Sequence, residues 1–197
     1  MKFFIVYESV FGNTRRIAQA VEHGLRAHAQ TAMGSVEHTS PHEAAGYDVL
    51  VIGGPTHAFS MSTPSSRHDA IGWTQDGKHD LELDAGEPTT GIREWIADAD
   101  SLPPAFAAFD TRVDGMRRLP GSAARRLTKR LRARGLTPLT PPTSFYVSSA
   151  SELLDGEETR AEAWGASLAD MLVRFDAQAR TDRSHAPQAR SGRGRTS

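Results

Sequence analysis

The stretch Phe3-Phe4-Ile5-Val6-Tyr7-Glu8-Ser9-Val10-Phe11-Gly12-Asn13-Thr14-Arg15-Arg16-Ile17-Ala18-Gln19-Ala20-Val21 decides the fold. Its apolar run reads as a strand, a small-residue loop follows, and Ile17, Val21 and Leu25 recur at i, i+4 and i+8 as the core stripe of a helix. A chain that passes from strand to helix through such a loop leaves backbone N–H groups unpaired at the helix start, with the positive end of the helix dipole behind them. That is a ready anion site, and Ser9, Asn13 and Thr14 add neutral donors to it. A phosphate monoester is its natural guest.

Outward from this stretch the pattern repeats. A helix is expected over residues 13–29, a weak strand over 31–37, and a strong strand over 47–54, which is nearly continuous in apolar residues as a parallel strand covered on both faces should be. Further strands are expected at 105–109 and 143–147. Helices are expected near 89–98, after a cap at Ser122 with Ala124, Leu127 and Leu131 inward, and over 157–175, where Ala161, Trp164, Leu168, Met171, Leu172 and Phe175 share a face. Strands alternating with helices imply an α/β chain, an open parallel sheet with right-handed crossovers and helices on both faces. Residues 71–91 carry Trp73 and several acids and read as a long surface excursion. From Ala177 to Ser197 five arginines stand among Ser, Gly, Thr, Gln and Pro, which predicts a disordered tail after a domain of residues 1–176.

A chain of 197 residues with 38% hydrophobic content suffices for one packed domain. It has no cysteine, which excludes disulfides, thiolate metal sites, cysteine-ligated iron–sulfur clusters and cysteine nucleophiles, and the expected compartment is the cytoplasm. No apolar stretch approaches the length of a membrane span, and residues 3–7 run straight into a loop without a signal-peptide pattern.

The segment S-x-F-G-N-T after an N-terminal strand resembles the phosphate-binding loop of the flavodoxin family, usually written T/S-x-T-G-x-T. Ser9, Gly12, Asn13 and Thr14 match, while Phe11 stands where many members carry a third hydroxyl residue, at a cost of about 1 kcal/mol if nothing replaces that hydrogen bond. Aromatic residues occur at this place in quinone-reductase-like relatives. A second segment, Gly53-Gly54-Pro55-Thr56-His57, looks like the family's flavin-contacting loop. The resemblance covers residues 2–175. It implies a three-layer, doubly wound, five-stranded parallel sheet of order 2-1-3-4-5, with FMN held outside the carboxyl ends of strands one and three.

The residues this assigns to the cofactor are Ser9, Val10, Phe11, Gly12, Asn13 and Thr14 from the first loop, Pro55, Thr56, His57, Ala58 and Phe59 from the second, and Asp110, Thr111 and Arg112 from a loop after strand four. Phe59 and Met61 are expected as an apolar wall of the ring site, and Arg112 as a cation for a reduced flavin. Arg15 and Arg16 are expected to be solvated. The implied function is an FMN-binding redox protein that exchanges electrons with a partner protein or a small acceptor. The alternatives are an FMN-dependent NAD(P)H or quinone reductase and a flavin-free interaction module.

Other chemistries find little support. His38 and His42 stand four apart, but Pro41 between them argues against a helix that would present both to a metal. There is no G-x-S-x-G elbow and no P-loop lysine. Arg117, Arg118, Arg125, Arg126, Lys129, Arg130, Arg132 and Arg134 crowd one segment and read as a solvated face; with no interleaved aromatics, nucleic acid is not the expected partner.

Overall fold

The N-terminal apolar run becomes the hub of a parallel sheet because its side chains alternate between two cores. In the computed structural model, which describes residues 1–57, 59–75, 81–84, 86 and 88–184, β1 (Lys2–Tyr7) pairs on one side with β2 (Gln30–Ser35) and on the other with β3 (Val49–Pro55). Phe3, Ile5 and Tyr7 enter one core, Phe4 and Val6 the other. β3 repeats the alternation, with Val49 and Val51 against Leu50 and Ile52. β4 (Ala105–Val113) lies along β3, and its free edge carries two short strands in line, β5 (Thr137–Pro138) and β6 (Thr143–Val147).

The strand order is therefore the expected 2-1-3-4-5, with the fifth position divided in two. Pro141 and Pro142 fall between the pieces, and proline has no N–H to give to a ladder. Helix α1 (Asn13–Arg26) covers one face together with the closing helix, and α2 (Pro41–Ala44), α4 (Ile92–Ala97) and α5 (Ala123–Ala133) cover the other, while α3 (Pro64–Gln75) follows β3 outside both cores. The second core takes Ala44 from α2, Ile92, Trp95 and Ile96 from α4, and Ala123, Ala124, Leu127 and Leu131 from α5. None of the described helices is long and apolar enough to cross a membrane.

Several expectations change. Pro41 opens a one-turn helix instead of preventing one: it occupies the first helical position, where its missing N–H is no loss, and Glu43 accepts from the Ser40 N–H at 2.7 Å. Part of the 71–91 excursion is the end of α3. Strand four runs four residues beyond Phe109. The closing helix, α6 (Glu157–Ser184), continues past Phe175, so residues 177–184, expected to begin a disordered tail, are helical; residues 185–197 lie outside the described part. Arg15 and Arg16 are not simply solvated, since Arg15 pairs with Asp84 at 2.7 Å and Arg16 with Glu158 at 3.0 Å.

The face made by α1 and α6 is held by direct backbone contact. A Cβ placed on Gly24 would fall 2.0 Å from the carbonyl oxygen of Glu162, and one placed on Gly165 would fall 2.3 Å from that of Val21. Each helix thus offers a glycine where the other's main chain passes. Gly24→Ala and Gly165→Ala should each destabilise the protein by about 1–3 kcal/mol or more through overpacking. Gly72→Ala on α3, where a Cβ meets nothing within 4 Å, should instead gain roughly 0.5–1 kcal/mol. Urea denaturation of the three variants measures both signs.

Candidate functional site

At the carboxyl ends of β1, β3 and β4 the loops enclose a cavity of about 510 Å³, within the range of small-molecule sites. The first loop supplies Ser9, Val10, Phe11, Asn13 and Thr14 to its lining. Gly12 caps α1 with φ +84°, a backbone conformation that only glycine adopts freely. Its consequence is a row of donors. Among the described residues, no backbone N–H of residues 10–14 meets an acceptor, and the next, that of Arg15, donates to Ser9 Oγ at 3.2 Å. Asn13 donates its amide to the Ser151 carbonyl at 2.6 Å, and Thr14 Oγ1 shares a hydrogen with Thr111 Oγ1 at 2.7 Å, so the first turn of α1 is tied to the two neighbouring walls. The Asp84 carboxylate approaches this turn from outside the lining and is neutralised by Arg15.

The second helix start at this edge is built the opposite way. Ala123 N–H donates to Thr56 Oγ1 at 2.9 Å, Ala124 N–H to Asp110 Oδ2 at 2.8 Å, and Arg125 N–H to Ser122 Oγ at 3.3 Å. Side chains from β4, the β3 loop and the cap therefore satisfy the donors of α5. Asp110, expected in a loop beside a cofactor, is 0% exposed on β4 and serves this cap, because the strand's extra length carries it under the start of α5. Thr111 and Arg112 are also strand residues, yet both line the cavity.

Arg112 is the buried cation of the site. It is 5% exposed, its Nη2 donates to the carbonyls of Met116 and Leu119, its Nε has no partner, and among the described residues no carboxylate pairs with it. His57 lines the opposite loop with a buried Nε2 that is likewise unpartnered. Burial, assisted by the charge of Arg67, holds the His57 pKa below the usual histidine value, so the ring is neutral at pH 7. A charge and a neutral imidazole thus face a cavity whose other walls are largely apolar.

Pro55, Thr56 and His57 line the cavity as the sequence suggested, but Phe59 and Met61 do not. His57 and Ser60 exchange backbone hydrogen bonds at 2.9 Å, a turn in which Phe59 takes φ +65°. That turn leaves Phe59 exposed and returns Met61 to the core. Ala58 lies outside the described residues. The aromatic and apolar lining missed by sequence comes from Trp73 and Leu81 in the excursion and from Val113, Met116 and Val147; Ser148, Ser149 and Ser151 close the far wall. The run Ser148-Ser149-Ala150-Ser151 at the end of the last strand was the available signal, a small-residue loop at the sheet's carboxyl edge.

No protein-family model and no curated protein matches this chain. Solved structures do. Oxidised flavodoxin 2 from Bacillus cereus superposes with a TM-score of 0.60 at 18% identity, covering 86% of this chain and 99% of that one. A flavodoxin from the domain Archaea gives 0.57 at 17% identity, with 86% and 97% covered. The flavodiiron core Flv1 from Synechocystis gives 0.57 at 18% identity; 89% of this chain is covered and 36% of the larger one. A parallel sheet of this order, with helices on both faces and these likenesses, has the flavodoxin-like fold.

Proposed function

We propose that the cavity binds FMN and that the protein is a cytoplasmic electron-transfer protein, exchanging electrons with a partner protein. The observation that carries this reading is the row of N–H groups at residues 10–14, unpartnered among the described residues, in a loop that lines a cavity with largely apolar walls. A row of unpaired backbone donors at a helix start suits a phosphate dianion, and the Ser9 and Thr14 hydroxyls and the Asn13 amide stand beside it. Trp73 and Phe11 supply aromatic surface for a flat ring, while His57 and Arg112 are the buried polar groups in want of partners. The donor set therefore fits a molecule that is anionic at one end, flat and polar-edged at the other.

When bound, FMN would supply reversible electron uptake. The chain's own contribution is binding, exclusion of water and electrostatics. A positive charge held in the cavity wall without a counter-ion favours the more negative, reduced form of a bound group. The neutral His57 provides a hydrogen bond without adding charge.

FMN should bind at least about a hundredfold more tightly than riboflavin, as two charge-assisted bonds at roughly 1.5 kcal/mol each require. Fluorescence titration with both ligands measures this, and equal affinities would remove the phosphate assignment. Gly12→Val should cost FMN about tenfold, since a β-branched residue resists the left-handed backbone. In the same assay Trp73→Ala should weaken FMN binding by about tenfold, and Phe59→Ala should leave it within roughly twofold, because only the first ring lines the cavity. Arg112→Met should lower the midpoint potential of bound flavin, by about 30 mV for each tenfold preference lost in a two-electron couple. Arg112→Lys should retain most of it. Spectroelectrochemistry of the three proteins decides.

A further inference from the structure

Among the described residues six large hydrophobic side chains are exposed, and four of them stand on the segments that form this cavity or adjoin it: Phe59, Trp73, Met116 and Leu119. Trp73 and Met116 belong to its lining. Leu119 is three residues beyond the 3-10 turn at Asp114–Met116, in the segment whose carbonyls hold Arg112. Phe59 reaches the same segment, since a Cβ on Gly121 would fall 3.0 Å from its own Cβ. Phe59, Met116 and Leu119 are 40%, 37% and 46% exposed. An aromatic residue held at φ +65° in solvent is a costly arrangement that the core does not need.

The charge around this patch is of one sign. Over residues 114–126 there are four arginines, at 117, 118, 125 and 126, and one carboxylate, Asp114, which pairs with Arg117. Arg118, Arg125 and Arg126 are exposed, and among the described residues none has a carboxylate partner. The chain as a whole carries a formal charge of −1, so this is a local concentration and not a general property. Apolar side chains and Met at the centre with arginines around them is the anatomy of a protein interface. A face built for nucleic-acid phosphates would not require the apolar centre.

We infer that the rim formed by Phe59, Met116, Leu119 and the flanking arginines is the docking face for a small acidic redox protein, whose carboxylates meet Arg118, Arg125 and Arg126. This rests on the electron-transfer reading above and adds the partner's charge and the place it occupies. Opposite charge steers the encounter and the apolar centre excludes water from the contact, which places the partner over the cavity mouth.

The test uses the full FMN-loaded chain with two probe proteins, an acidic [2Fe–2S] ferredoxin and basic cytochrome c, and follows binding by NMR shift perturbation at low and at physiological salt. The ferredoxin should bind and the cytochrome should not, with affinity falling about tenfold as salt screens the charges. Arg118→Glu with Arg125→Glu should reduce ferredoxin binding at least about tenfold, Phe59→Ser should weaken it severalfold, and both variants should keep the wild-type FMN affinity. Arg118→Gln with Arg125→Gln provides the milder pair if charge reversal disturbs folding. Undiminished ferredoxin binding by these variants would overturn the docking face, as would equal binding of the two probes. Tighter binding of a short DNA duplex than of ferredoxin, lost in the same variants, would assign the face to nucleic acid instead. Failure of the FMN titration sinks the function, while failure of ferredoxin binding with FMN affinity intact sinks only the docking face.

Discussion

The contact on which the rest of this structure depends is the glycine-mediated approach of α1 and α6, where Gly24 meets the main chain at Glu162 and Gly165 meets it at Val21. Helices that touch through backbone have little freedom to slide, because any lateral shift drives a carbonyl into a Cα. The position of α1 sets where its N-terminal N–H groups point. The position of α6 constrains the loop that brings Ser151 to Asn13. Two walls of the cavity are thus fixed by two absent side chains, far from the cavity itself.

The two helix starts at the carboxyl edge of the sheet show how the fold assigns roles. Both α1 and α5 begin beside the cavity, and both carry the partial positive charge of a helix N-terminus. The donors of α5 are consumed by Thr56, Asp110 and Ser122, a structural arrangement that fixes the helix and buries a carboxylate. The donors of α1 are left unpaired apart from the bond to Ser9. Identical backbone chemistry yields a closed joint in one case and a row of open donors in the other. What separates them is which side chains the adjacent strand and loop present.

Charge is arranged with the same economy. Arg15 and Arg16, the cations nearest the open helix start, are spent on Asp84 and Glu158, so the donors there are neutral. The cation of the cavity is Arg112, brought in from β4 and anchored by two carbonyls instead of a carboxylate. Buried without an opposing charge, it acts on whatever the cavity holds. Glu8, just after β1, is a second buried acid of this edge beside Asp110; it accepts from the Ile92 N–H at 2.9 Å, and burial pushes its carboxyl above the usual range. It ties the start of α4 to the end of β1.

The sequence by itself determined the alternation of strands and helices and the glycine loop before α1, while the strand order came from the resemblance those motifs carry. The alternation and the loop depend on local patterns: nearly continuous apolar runs for strands covered on both faces, stripes in period 3.6, and a small-residue loop whose glycine permits φ +84°. Pro55, Thr56 and His57 were legible for the same reason, since they follow directly from the end of a strong strand. Tertiary structure alone decided which aromatic faces the cavity. Phe59 and Trp73 differ little in sequence signal, and the turn closed by His57 and Ser60 turns one away while α3 brings the other in. It also decided that Asp110 and Arg112 lie on a strand. Nothing local marks the point where β4 ends; its pairing with β6 continues it to Val113, which buries the carboxylate under α5 and leaves the guanidinium in the cavity wall. The reason is general: strand length and side-chain exposure are set by partners distant in sequence, and no periodicity within one segment contains them.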